Sequence, residues 1–136
     1  MTRRKLREQI FKLLFRIEFN DADEMDEQIK LFFNDVDVTY DEEDTEYIQG
    51  KYDAILKLLP DIDAAINERT KGWTTERMSK VDLTIIRLGV YEILYDENVP
   101  DGVAVNEAVE LAKKFGQDES YSFVNGVLGN FVDKNG

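Results

Sequence analysis

The sequence predicts an all-α fold, about seven helices in two small packed helix bundles. Three observations carry that expectation. Apolar residues recur three and four apart along most of the chain, the spacing of one helix face. Proline occurs only twice in 136 residues, so little interrupts a helical period. No segment alternates apolar and polar residues as a half-buried strand would. Short apolar pieces such as Leu83–Ile86 resemble a strand, but their flanks continue the helical period. The length suits one domain that buries its core without disulfides.

The first helix places Leu6, Ile10, Leu13 or Leu14, and Ile17 on one stripe, with Thr2 as its N-cap. Asn20-Asp21 ends it. A short second helix uses Met25, Ile29, Phe32 and Phe33, and the polar stretch 34–43 connects it to the third. The third helix starts near Asp44 and buries Tyr47, Ile48, Tyr52, Ile55, Leu56 and Leu59. Pro60 is expected to break or kink it, and Asp61 to restart a helix with Ala65 and Ile66 inward, ending near Thr70.

Lys71-Gly72-Trp73 reads as a turn, followed by a short helical piece over Thr75–Met78. Ser79 caps the next helix, with Asp82 three residues on in the manner of a capping box. Val81, Ile85, Leu88 and either Tyr91 or Glu92 form its inner face. NVPDG supplies a turn. Val103–Phe115 is a helix with Val105, Ala108, Leu111, Ala112 and Phe115 inward, and Gly116 is expected as its left-handed C-cap. The last helix spans about Glu119 to Phe131, with Phe123, Val124, Val127, Leu128 and Phe131 on its apolar side. No linker separates independent domains. The chain reads as a single domain, 1–136, with helical subdomains about 1–70 and 71–136.

Charge is distributed unevenly. Residues 1–17 hold six cations and one acid, whereas residues 18–46 hold thirteen acids and one cation, in a chain of net charge -12. Arg3, Arg4 and Arg7 lie mostly off the apolar stripe. Cations at a helix N-terminus oppose the macrodipole, so they lower stability rather than raise it. Their plain reading is a solvated helix face. Their functional reading is phosphate contact, for which guanidinium geometry is suited. So few cations give weak, salt-labile binding by themselves. An RNA binder of this charge needs base contacts, stacking or a basic partner. Phe15, Tyr91, Tyr95, Tyr121 and Phe123 are the aromatics that could stack, although aromatics at helical spacing mostly serve the core.

The chain has no Cys and no His, which removes thiolate chemistry, zinc–thiolate sites and the usual general base. The glycines fall in no phosphate-loop pattern. DEEDTE (41–46) lacks the glycine and spacing of a calcium loop, and acids suit a helix start. The expectation is therefore a protein without enzymatic activity, catalytic residues, metal or cofactor. No apolar run approaches the ~18 residues of a membrane span, and the basic start leads into no signal-like apolar stretch.

Several linked motifs are similar to one family. VAVNEAVELAKKFGQDESYSFVNGVL (103–128) resembles the C-terminal signature of the NusB family of bacterial transcription antitermination factors. GW (72–73), KVDLTIIRLGVYEILY (80–95) and VPDGVAVNEA (99–108) fit the same family in order and spacing, and RRKLREQIFKLLF (3–15) resembles its arginine-rich start. The start departs from the family pattern at Leu6, where Ala is usual, and only two residues precede Arg3.

The resemblance implies two helix bundles and a non-enzymatic, cytoplasmic role. It implies binding to the boxA sequence of nascent RNA together with ribosomal protein NusE, within an RNA polymerase antitermination complex. Residue by residue, it implies RNA contact by Arg3, Arg4 and Arg7, with electrostatic help from Lys5. Phe15 falls where the family often has an aromatic near RNA, and Phe123 and Asn125 are stacking and hydrogen-bonding candidates. Arg87, in IIRLGVYE, serves either the RNA side or a pairing with an acid. Central helices, roughly 65–115, are the better candidates for the NusE surface. Two other readings remain: a helical protein–protein adaptor without RNA binding, and the RNA-binding fragment of a ribosomal RNA cytosine methyltransferase. The sequence leaves open a homodimer that hides the RNA patch.

Overall fold

The computed structural model describes residues 1–132, so residues 133–136 of the expected domain lie outside the described residues. Among the described residues the regular structure is helical. The α-helices are α1 (Arg3–Phe15), α2 (Met25–Phe33), α3 (Glu42–Arg69), α4 (Lys80–Tyr95), α5 (Asp101–Phe115) and α6 (Ser120–Leu128). Two 3-10 turns, Arg16–Glu18 and Thr75–Arg77, accompany them.

The chain forms two compact units, Met1–Leu56 and Lys57–Gly136. The division lies inside α3, whereas the sequence suggested one near residue 70. The second half of α3 is tied to the later helices by side chains. Asp63 binds Arg87, and the Arg69 guanidinium lies over the Phe131 ring.

Pro60 does not break α3. Ile55, Ile62 and Ile66 are fully buried at helical spacing across it. Each such burial is worth roughly 1.5–3 kcal/mol. Pro60 itself is exposed, and so is Leu56, whose carbonyl loses its partner N–H to the proline. Water can reach that carbonyl, which limits the penalty. The two helices expected around Pro60 are thus one, and six α-helices replace about seven.

In the first unit, α1 and α2 supply Ile10, Phe11, Leu13, Leu14, Met25 and Phe32 to a core shared with Ile48, Tyr52 and Ile55 of α3. The connection before α3 is anchored by Tyr40. Its hydroxyl donates to Gln9 Oε1 at 2.6 Å, and its ring packs against Phe32 and Phe33. Tyr47, expected inward, is exposed, because the buried stripe runs through Ile48 instead.

In the second unit, α4 is buried on most of its circumference and packs against both α5 and α6. A Cβ on Gly89 would sit 2.8 Å from Leu128 Cδ1, so glycine sets the close approach of α4 to α6. α5 turns Ala104, Ala108 and Ala112 inward, and small side chains permit similar closeness. Val103 is exposed, while Val105 and Phe115 are only half-buried.

Gly116 is not left-handed. Its backbone is extended, at φ -90° and ψ -170°. Glycine is needed there for space, since a Cβ would meet Ser120 Cβ at 2.5 Å and the Ala112 carbonyl at 2.7 Å. The left-handed glycine is Gly72, at φ 82°, in the turn after α3. α6 ends at Leu128, and Phe131 enters the core from beyond the helix.

Candidate nucleic-acid interface

The basic start is a capped helix end. Thr2 Oγ1 accepts from the Lys5 N–H at 3.1 Å, and the first turn of α1 contains no acid. Arg3, Arg4 and Lys5 are exposed, while Arg7 is half-buried. The nearest carboxylate on the helix, Glu8, is buried between two lysines, with Lys12 Nζ at 3.6 Å and Lys5 Nζ at 4.0 Å. The acid is neutralised locally, and the face remains positive. Helix N–H groups add to that positive potential.

The acidic residues before and within α3 have structural work. The Asp44 N–H donates to Asp41 Oδ1 at 2.8 Å, and the Asp41 N–H donates to Asp44 Oδ2 at 3.3 Å. This reciprocal pair caps the start of α3 as a capping box does. Asp44 Oδ1 also accepts from the Met1 ammonium at 3.2 Å. Desolvation alone would raise the Asp44 pKa. The Asp41 N–H and the ammonium outweigh it and hold the carboxyl below its usual range.

Phe15 is half-buried in a ladder of rings. It stacks on Phe11, with centroids 6.0 Å apart, and meets Phe19 edge-on at 5.1 Å. Phe19 is the exposed end of that ladder. Arg16 is engaged within the unit. It donates to the Gln28 carbonyl and Oε1, and it lies over the Phe32 ring.

In the second unit, Arg87 forms a two-bond clamp with Asp63, so of the two roles open to it the geometry favours pairing. Phe123 is half-buried and packs edge-on against Trp73, with centroids 5.0 Å apart, while Asn125 is exposed on α6. Tyr91 is buried and stacks on Tyr95, and Tyr121 lies under Lys113. Sequence reasoning treated Trp73 only as a turn residue. Its signal was the run of Arg69, Lys71, Arg77 and Lys80 around it, against one acid, Glu76.

An all-helical chain without His or Cys, whose densest positive charge sits on one exposed helix start, defines a class of helical binding proteins rather than enzymes. Comparison with known proteins makes this particular. The chain belongs to the NusB family, whose sequence profile matches residues 4–133. It is 53% identical over 132 residues to the transcription antitermination protein NusB of Agathobacter rectalis, covering 97% of this chain and 100% of the relative. It is 45% identical to that of Lachnoclostridium phytofermentans, covering 98% and 100%.

The NusB structure from T. maritima superposes with a TM-score of 0.85 at 33% identity, covering 96% of this chain and 90% of that one. A structure of antitermination factors NusB and NusE in complex with dsRNA shares the fold, with a TM-score of 0.80 at 24% identity, covering 96% and 97%.

Proposed function

We propose that this chain binds the boxA sequence of nascent ribosomal RNA transcripts together with ribosomal protein NusE, in the cytoplasm, as part of an RNA polymerase antitermination complex. One observation carries the reading. Arg3, Arg4 and Lys5 stand exposed on the first turn of a capped helix that has no acid there. That arrangement works against helix stability and in favour of a polyanion. Arg7 continues the surface at its margin. Phe15 acts from the ring ladder, and Phe123 and Asn125 from α6. Arg87 contributes by positioning, because its guanidinium is committed to Asp63.

The chain's acidity explains the need for a partner. A basic ribosomal protein docked on an acidic surface gains on-rate and specificity, and it brings phosphate contacts that this chain lacks. A structure that pairs a NusB with NusE and RNA supports the reading through its shared fold.

The test is binding to boxA RNA and to a scrambled RNA, at two salt concentrations, with and without NusE. Selective binding strengthened by NusE is expected. Equal binding to both RNAs, or none even with NusE, overturns the reading in favour of an adaptor.

A further inference from the structure

The connection between α3 and α4 builds a second feature suited to RNA. Residues 69–80 carry Arg69, Lys71, Arg77 and Lys80 against Glu76, a basic stretch in an acidic chain. At its centre is Trp73, which is 45% exposed. The left-handed Gly72 and the Thr70 hydroxyl, which donates to the Ile66 carbonyl at 2.6 Å, fix the turn that presents it. Arg77 donates to the Gly72 carbonyl, and its guanidinium lies 5.2 Å from the Trp73 ring centroid. The indole is therefore held by its own loop and by the edge of Phe123.

Trp73 and Phe123 wall an open recess of about 870 Å³. Its remaining lining includes Asp82, Asp118, Glu119 and Gln117. Carboxylates repel phosphate, so a backbone phosphate is excluded from the interior and belongs at the basic rim. A base is a different matter. Aromatic walls stack bases of any sequence, and a carboxylate accepts hydrogen bonds from amino and imino groups on a base edge.

We propose that this recess takes one unpaired nucleobase of bound RNA, stacked at Trp73, with flanking phosphates on Lys71, Arg77 and Lys80. The carboxylate lining favours guanine, which offers adjacent imino and amino donors, over uracil, whose single imino donor lies between two carbonyl acceptors. The proposal rests on the RNA-binding function above and adds a second contact region to it, away in sequence from α1.

Trp73 is the chain's single tryptophan, so its fluorescence reports this site alone. The probes are a short oligouridylate, the same oligomer carrying one guanosine, and an oligoarginine peptide. Fluorescence anisotropy of labelled RNA follows total binding in parallel. Quenching of Trp73 emission in step with RNA binding is expected, stronger with the guanosine oligomer. The K71A/K80A variant, which leaves the aromatic pair in place, lowers the magnitude of the salt slope by about one, as loss of one to two single-strand phosphate contacts requires.

RNA that binds by anisotropy without changing Trp73 emission overturns the proposal and leaves the α1 reading intact. Quenching by oligoarginine but not by RNA overturns it in favour of a cation site. Absence of RNA binding by any readout overturns both. W73F, checked for native helicity, is expected to weaken the guanosine oligomer several-fold more than the oligouridylate. Equal weakening assigns Trp73 to packing alone and also overturns the proposal.

Discussion

Arg87 on α4 and Asp63 on α3 are joined by two parallel hydrogen bonds, Nε to Oδ1 at 2.8 Å and Nη2 to Oδ2 at 2.7 Å. The Arg87 side chain is only 12% exposed. A bidentate pair in this setting is strong and orientation-specific. It fixes the second half of α3 to the helix on which the second unit is built. Removing one partner leaves a charge poorly solvated. We expect Arg87→Ala to cost about 2–3 kcal/mol by urea denaturation. Arg87→Lys should recover little, because an ammonium cannot form the fork. The RNA affinity of the Arg87→Ala protein that remains folded should stay within about twofold of the parent, measured well below its melting temperature. A tenfold loss would return Arg87 to the RNA contacts.

Stability and function should move in opposite directions on α1. Arg3→Glu with Arg4→Glu places acids where the helix dipole prefers them. It should leave stability unchanged or raise it by about 0.3–1 kcal/mol. The same change should weaken boxA binding at least tenfold and reduce its salt dependence. Thermal melts and RNA titrations of one preparation test both halves. Intact RNA binding with raised stability would mark the cations as a merely solvated face.

Gly116 and Gly126 should respond oppositely to alanine. At Gly116 a Cβ meets the Ala112 carbonyl at 2.7 Å and Ser120 Cβ at 2.5 Å, and neither backbone nor a buried Ser120 can yield easily. Gly116→Ala should cost about 1–3 kcal/mol. At Gly126, inside α6, a Cβ meets nothing within 4 Å. Gly126→Ala should stabilise by about 0.5–1 kcal/mol through helix propensity. Denaturant midpoints of the two variants test the contrast.

Asp44 predicts an acid limb in the stability profile. Its folded pKa lies below the ordinary 3.8. Its contribution is therefore complete above the unfolded value and is lost as pH falls through the folded one. Asp44→Asn should be less stable than the parent at neutral pH, and the gap should close under strongly acid conditions. Blocking the Met1 amine should remove part of the same gap. A difference between the two proteins that is independent of pH would discount the carboxylate's charge.

Helix periodicity, caps and family motifs were legible in the sequence because they depend on neighbours along the chain. Thr2 and Ser79 cap as their residue types require, each accepting from the N–H three residues on. The basic helix start was legible too, since a charge count needs no coordinates. The continuity of α3 was not. Local chemistry says that proline breaks a helix, and only the burial of Ile62 and Ile66 beyond it decides otherwise. The reason for Gly116 was hidden as well, because the side chain that would collide with a Cβ belongs to the start of the next helix.

The site divides along the same line. The sequence by itself determined the all-helical class, the NusB resemblance and the cationic helix start, all set by residue type and spacing. Only the tertiary structure decided that Arg87 belongs to Asp63, that Phe15 stands within a ladder of rings, and that Trp73 faces Phe123 across an open recess. These facts join residues far apart in sequence or set the exposure of a ring. Pairing and exposure are properties of packing, which no local pattern encodes.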